Sequence, residues 1–158
     1  PGAVRVEVLA QRLGVTRGGF YRQFGGRAEL VDAMLDAWEQ RSTDDVRRRV
    51  EAEGGDAAGK ARKAGMLTFA PDLLPIDLAV REWARRDAKV AARLRRVDNR
   101  RMDYLRELIS TLSGDAGDVE ARAMLAFSLV IGDHLIAADR LVGGRARVLR
   151  DATRLILG

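Results

Sequence analysis

The sequence contains no cysteine and a single histidine, and both shortages exclude classes of chemistry. Without thiols, the chain cannot form disulfides, iron–sulfur clusters or zinc fingers, and it has no cysteine nucleophile. His134 is the only imidazole, so a multi-histidine metal site is excluded, and a Ser/His/Asp triad would have to use that residue. We therefore predict no metal site and no cofactor, and an enzyme is the least favoured class.

Long apolar runs and aromatic residues are also scarce. No run approaches the ~18 residues of a membrane span, and no signal-peptide pattern opens the chain. With 158 residues, 47% hydrophobic and 32% charged, the chain fits one globular domain, or one domain with a small appendage. We expect a cytoplasmic protein without a membrane partner. Because aromatics are only 5% of the residues, an aliphatic or mixed ligand is favoured over a flat polyaromatic one.

Basic residues are abundant but skewed in type and position. Three of the 28 are lysines, which leaves 25 arginines, and the formal net charge is +5. Arginine suits phosphate and base edges, although a G+C-rich genome also raises its frequency. Before residue 28, five arginines face Glu7 alone, a local charge of +4. Such an imbalance on a small surface is typical of phosphate binding.

Apolar spacing near 3.6 residues predicts an all-α fold with about eight helices. The chain has three prolines, so long stretches contain no helix breaker of this kind, and pairs of glycines mark the ends of several predicted helices. The predicted helices cover residues 6–13, 16–24, 27–50, 57–68, 75–87, 90–112, 119–141 and a last segment after 144. The first two are short and joined by Gly14-Val15-Thr16, which matches the helix-turn-helix plan.

The second short helix is the predicted recognition helix. Thr16 and Arg17 lie at its N-terminus, nearest the base edges, and Arg17 can bind a guanine bidentately. Gly18 permits close approach to DNA. The predicted phosphate contacts come from Tyr21, Arg22 and Arg27, the last at the N-terminus of the following helix.

The segment VEVLAQRLGVTRGGFYRQFGGRAEL, residues 6–30, resembles the DNA-binding signature of the tetracycline-repressor (TetR) family of bacterial regulators. The matching residues are Leu9, Ala10, Gly14, Val15, Thr16, Gly18, Phe20, Tyr21, Phe24 and Leu30, with Arg27 in place of the usual lysine. The family has a helix before this segment, so we expect either that a longer protein supplies this helix before Pro1 or that the head is incomplete and binds DNA poorly. Gly18 and Gly19 also weaken the recognition helix by about 1 kcal/mol each relative to alanine, so that helix is expected to order fully on DNA.

The resemblance implies an N-terminal helix-turn-helix head, residues 1–40 with its first helix missing, and a ligand-binding and dimerisation bundle, residues 41–158. It implies a homodimer that binds a palindromic double-stranded DNA operator and is released, as a repressor, by an unidentified small-molecule effector. The long helix from Arg27 to about Val50 would carry movement from the body to the head. The alternative is an all-α interaction or scaffold protein without DNA binding.

Helical spacing also suggests which residues of the bundle, residues 41–158, form the ligand pocket and the dimer interface. Predicted pocket residues are apolar or aromatic with a few polar groups: Met66, Leu67, Phe69, Trp83, Met102, Tyr104, Phe127, Ile131 and His134. Ordinary core packing is the alternative for each. Predicted dimer-interface residues are small or apolar and lie on the last two helices: Ala121, Leu125, Ser128, Leu129, Gly132, Leu149, Ala152, Leu155 and Ile156. Arginines between residues 81 and 101 alternate with acids, which favours a solvated, salt-bridged helix face over a contact with nucleic acid.

Overall fold

The computed structural model describes residues 26–157, and its regular structure in this range is entirely helical. This agrees with the predicted all-α class. The helices are α1 (Arg27–Ser42), α2 (Asp44–Glu53), α3 (Ala57–Thr68), α4 (Leu74–Ala84), α5 (Ala88–Ile109), α6 (Ala116–Leu135) and α7 (Arg145–Leu157). None of these helices is long and apolar enough to cross a membrane.

Helix α5 is the centre of the described structure, because α1, α3, α4 and α6 all pack against it. Its periodic apolar residues are deeply buried, with Val97 and Ile109 fully inaccessible to solvent. One end of α5 joins a cluster with Leu35 and Trp38 of α1 and Val80 of α4. The other end joins a larger cluster shared by α2, α3, α6 and α7. Burial of this apolar stripe is the main force that holds the bundle together.

The predicted helix over residues 27–50 is wrong in one respect, because two helices meet at Thr43. The backbone of Thr43 leaves the helical region (φ −129°, ψ −76°), and its hydroxyl donates to the carbonyl of Glu39 at 2.7 Å. Asp44 and Asp45 then occupy the first turn of α2, where the helix dipole favours acids. A Thr-Asp-Asp helix start therefore interrupts an apolar pattern that continues through Val46 and Val50.

Three predicted helix ends also move. Helix α4 ends at Ala84, short of Asp87, because the Asp87 carboxylate caps α5 by accepting from the amides of Lys89 and Val90. Helix α5 ends at Ile109, short of Leu112. Helix α6 ends at Leu135 and does not reach Leu141.

A buried ionic network fastens α4 to α5. Asp77 is fully buried, and its two oxygens accept from Arg81 at 2.8 Å and from Arg101 at 2.9 Å. Arg81 also donates to both oxygens of Asp98, at 2.9 and 2.8 Å. Arg101 completes the network with a 3.2 Å bond to Asp98. Burial without these partners would strongly disfavour the charges, so the four side chains depend on one another.

Replacing Asp77 with alanine is expected to lower the free energy of unfolding by about 3–5 kcal/mol, because Arg101 would stay buried without its main counter-charge. Urea denaturation of the full chain measures the change. The matched control is Asp72→Ala, which removes an exposed ion pair with Arg41 and should cost at most about 1 kcal/mol. Similar losses in the two variants would contradict the proposed importance of the network.

Candidate ligand-binding cavity

A cavity of about 940 Å³ lies among the α1–α2 junction and helices α3, α5, α6 and α7. The sequence opens this space with small side chains on one face of α3, namely Ala61, Ala64, Gly65 and Thr68. At Gly65 a Cβ atom would lie 3.1 Å from a methyl group of Val130, so glycine there allows α3 to approach α6 closely. The volume falls at the upper end of the range for small-molecule sites.

The lining is mainly apolar with a few polar groups, as ligand sites usually are. Apolar and aromatic lining residues include Val46, Phe69, Leu105, Phe127, Leu129, Val130, Leu149, Ile156 and Leu157. Polar and charged lining residues include Ser42, Thr43, Asp44, Arg62, Arg101, Asp133, His134, Arg150 and Thr153. This arrangement can hold an apolar molecule that carries one or a few polar groups.

Five of the nine predicted pocket residues line the cavity: Met66, Phe69, Tyr104, Phe127 and His134. The other four, Leu67, Trp83, Met102 and Ile131, do not. Met102 is buried in the larger core cluster, and Leu67 packs against that cluster. Trp83 packs against the smaller cluster beside α1. Apolar spacing identifies an inward face, but it does not separate side chains that fill the core from those that border a void.

His134 lines the cavity from an exposed position near the end of α6. Its ring centroid lies 5.7 Å from that of Phe69, with the rings tilted by 40°. On α5, Tyr104 donates its hydroxyl to Glu51 at 2.7 Å. Burial, followed by this bond to the Glu51 carboxylate, raises the pKa of Tyr104 well above its usual range. Tyr104 therefore lines the cavity as a neutral side chain whose hydroxyl proton is already donated to Glu51.

Arg101 connects the cavity to the end of α1. Its guanidinium lies 5.6 Å from the ring centroid of Phe69 and 5.9 Å from that of Trp38. Its Nε also donates to the Ser42 carbonyl at 3.4 Å. Because Arg101 itself lines the cavity, a molecule bound there would contact a side chain that also touches the last turn of α1.

Two buried polar atoms at this same place lack a hydrogen-bond partner among the described residues. They are Nε1 of Trp38 and Oγ of Ser42, on residues that are 3% and 1% exposed. Buried polar groups are nearly always hydrogen-bonded, so such atoms call for an explanation. Ser42 lines the cavity, which makes its hydroxyl a group that an occupant can satisfy.

Ion pairs join α1 and α2 to α5 along the outside of the bundle. Arg93 donates to Asp36 and Glu39 of α1, and Arg96 donates to Glu39 at 2.9 Å. Arg100 donates to Asp44 of α2. The bond to Asp36 raises the pKa of Arg93, so its charge is retained at all ordinary pH values. The arginine-rich face is salt-bridged as predicted, but the prediction that it is solvated is wrong for Arg81, Arg93 and Arg101, whose side chains are largely covered. This face is a seam between helices, with partners from α1 and α2 as well as from nearby acids.

The predicted dimer residues divide into three groups. Ala121, Leu125, Ser128 and Leu155 are exposed, with Leu155 at 86%. Gly132 and Ala152 are half-buried. Leu129, Leu149 and Ile156 border the cavity, which places them inside the protomer. Other exposed apolar residues extend the first group along α6, α7 and the segment between them: Met124, Leu135, Ile136, Val142 and Val148.

The predicted DNA contacts fall mostly outside the described residues. This applies to Thr16, Arg17, Gly18, Tyr21 and Arg22. Arg27 is the first residue of α1, although its side chain is not among those described. Helix α1 therefore starts at a predicted DNA contact and ends beside the cavity.

The family model of the bacterial regulatory proteins of the tetR family matches residues 1–34. The match marks a helix-turn-helix DNA-binding head at the N-terminus and supports a DNA-binding transcriptional regulator. The resemblance found in the sequence is confirmed over these residues, which make up less than half of the chain. No curated protein and no solved structure matches the chain. The match ends inside α1, so residues 27–34 of this helix belong to it and the rest of the helix does not.

Sequence reasoning did not predict that Arg101 and Asp77 form a buried ion pair, or that Arg101 and Ser42 line the cavity. A usable signal existed for Arg101, because residues 94, 97, 101, 105 and 108 follow helical spacing and put this arginine on the apolar stripe of α5. A charged residue at such a position predicts a buried partner. The identity of that partner, 24 residues earlier on α4, required the structure.

Proposed function

We propose that this protein is a ligand-responsive repressor that binds a palindromic operator as a homodimer and releases it when a small molecule occupies the cavity. It acts in the bacterial cytoplasm, as a regulator and not as a catalyst. The observation that carries this proposal is the course of α1, which begins in the family-matched segment and ends at a residue that lines the cavity. The same helix thus belongs to the DNA-binding segment and to the wall of the cavity.

The coupling works through the packing of α1. Leu35 and Trp38 anchor the helix in the smaller core cluster, while Arg101 contacts its last turn from the cavity side. A ligand that displaces Arg101 or Phe69 changes the surface on which Trp38 rests and therefore the direction of α1. A ligand that binds more tightly to the arrangement unsuited to DNA lowers operator affinity by thermodynamic linkage. The loss equals the difference between the ligand's binding free energies for the two arrangements, typically about 1–3 kcal/mol.

Dimerisation is supported by the exposed apolar side chains on α6 and α7. Met124 and Leu125 are each more than half exposed on α6, and Leu155 on α7 is almost fully exposed. Several exposed apolar side chains on two helices that pack against each other are typical of a protein interface. A two-fold axis through α6 and α7 pairs these side chains with their copies and gives two DNA-binding heads, as a palindromic operator requires.

Arg17→Ala is expected to remove sequence preference while leaving the fold intact, because a bidentate contact to guanine contributes about 1–3 kcal/mol of discrimination. DNA selected by the protein from a random pool provides the site, and fluorescence anisotropy measures its affinity against scrambled DNA. Gln23→Ala is the control on the same segment, since no base contact is predicted for it. Unchanged discrimination in Arg17→Ala would favour the scaffold alternative.

Replacing Leu125 and Leu155 together with glutamate is expected to convert a dimer into a monomer, because four charges would be buried in the two-fold contact. Light scattering of the full chain at micromolar concentration reports the mass. Ile76→Glu, on the exposed surface of α4, is the control and should leave the mass unchanged. A wild-type monomer, or a dimer unaffected by the double replacement, would contradict the assigned interface.

A further inference from the structure

The charges around the cavity distinguish among possible effectors. Two acids, Asp44 and Asp133, are among the lining residues, and both already accept hydrogen bonds from arginines. Six arginines line the same space: Arg47, Arg62, Arg100, Arg101, Arg150 and Arg154. Since the acids of the lining are engaged, a cationic ligand would find no free counter-charge there.

Four of the six arginines are paired. Arg47 donates to Glu107 at 2.8 Å, Arg100 donates to Asp44, and Arg101 is held by Asp77 and Asp98. Arg154 lies 3.5 Å from Asp151, at an exposed position where such a pair contributes little. Among the described residues, the guanidinium groups of Arg62 and Arg150 have no ion-pair or hydrogen-bond partner.

The contrast with neighbouring cations shows that this is not a general property of the two helices. On α3, Lys60 and Lys63 pair with Glu51 and Glu53 of α2, whereas Arg62 does not. On α7, Arg145 and Arg147 pair with Asp133 and Asp151. The unpaired arginines thus come from two helices that border the cavity, and both residues are exposed. They belong to the part of the lining that meets solvent.

The interior of the cavity has the opposite character. Phe69, Leu105 and Leu157 are buried around it, and the buried hydroxyl of Ser42, which has no hydrogen-bond partner among the described residues, adds one polar group to this lining. An apolar interior below two free guanidinium groups matches an amphiphile with an acidic head. Guanidinium groups bind carboxylate and phosphate oxygens through charge-assisted hydrogen bonds.

We propose that the effector is an anionic amphiphile, with an apolar body inside the cavity and a carboxylate or phosphate group bound by Arg62 and Arg150. This inference rests on the proposed function, because it names the class of ligand that the regulator senses. The two head groups share one chemistry, a compact anion with several acceptor oxygens. They are separated by the experiment below.

Isothermal titration of the full chain compares ten-carbon ligands that share an apolar body: decanoate, decyl phosphate, decan-1-ol and decyltrimethylammonium, all below the concentrations at which they self-associate. Decanoate or decyl phosphate is expected to bind about tenfold more tightly than decan-1-ol. The tighter of the two anions identifies the head group. Equal or tighter binding of the alcohol or the cation, or binding of none of the four, would overturn the proposal.

Replacing both Arg62 and Arg150 with glutamine is expected to weaken the binding of the anion about tenfold and to leave the alcohol unchanged. Arg95→Gln is the matched control, because Arg95 is an exposed arginine outside the cavity lining. Equal weakening of anion and alcohol would show a packing role for the arginine stems and refute the assignment. If circular dichroism shows that the double variant is unfolded, each single variant carries the test, with about threefold expected.

A separate measurement distinguishes this inference from the proposed function. The affinity for selected DNA is measured with and without saturating anion. Binding that depends on Arg62 and Arg150 but leaves DNA affinity unchanged supports the ligand class and contradicts ligand-controlled release. Release of DNA by decyltrimethylammonium but not by either anion contradicts the ligand class and supports release.

Discussion

The buried pairing of Arg101 with Asp77 is the constraint on which the arrangement of helices depends. A guanidinium on the apolar stripe of α5 is tolerated because α4 delivers a fully buried carboxylate to it at 2.9 Å. The same side chain satisfies the Ser42 carbonyl and lies against the rings of Trp38 and Phe69. One buried charge thus fixes the relative positions of α1, α4 and α5 and also forms part of the cavity lining.

This arrangement gives a physical basis for regulation. Apolar contacts allow a helix to slide at a modest cost in free energy, because they have no strict directional requirement. An ionic network, in contrast, has few geometries in which all its hydrogen bonds are made. An occupant that alters the position of Arg101 must either preserve the bonds to Asp77 and Ser42 or shift the helices that carry them. Nε1 of Trp38 and Oγ of Ser42, which lack hydrogen-bond partners among the described residues, lie near the end of α1. Such a shift of α1 would therefore change their surroundings. The α1–α2 junction is therefore the place where ligand and DNA would influence each other.

Much of the fold followed from sequence because local signals agreed with one another. The bounds of α3 were predicted to the residue, since Gly54-Gly55 precedes it and a turn at Pro71 follows it. In the structure, the Asp56 carboxylate caps its start by accepting from the amide of Gly59. The break at Thr43 was missed because the apolar period continues past it. The end of α6 depends on Arg145, whose guanidinium donates to the carbonyls of Asp133 and Ala138, a contact between segments that no local pattern reveals. The cavity depends on how the small residues of α3 face α5, α6 and α7, which spacing alone does not determine.

The coupling between ligand and DNA in a variant without the buried charges tests this account most directly. Arg101→Met combined with Asp77→Leu keeps the volume apolar and packed, as replacements of buried ion pairs often allow. The measured quantity is the ratio of the dissociation constants for selected DNA with and without saturating decanoate. We expect a ratio of about 5–150 in the natural chain and about 1 in the double variant, each measured at a decanoate concentration that saturates that protein. A ratio unchanged by the double replacement would contradict the role assigned to Arg101.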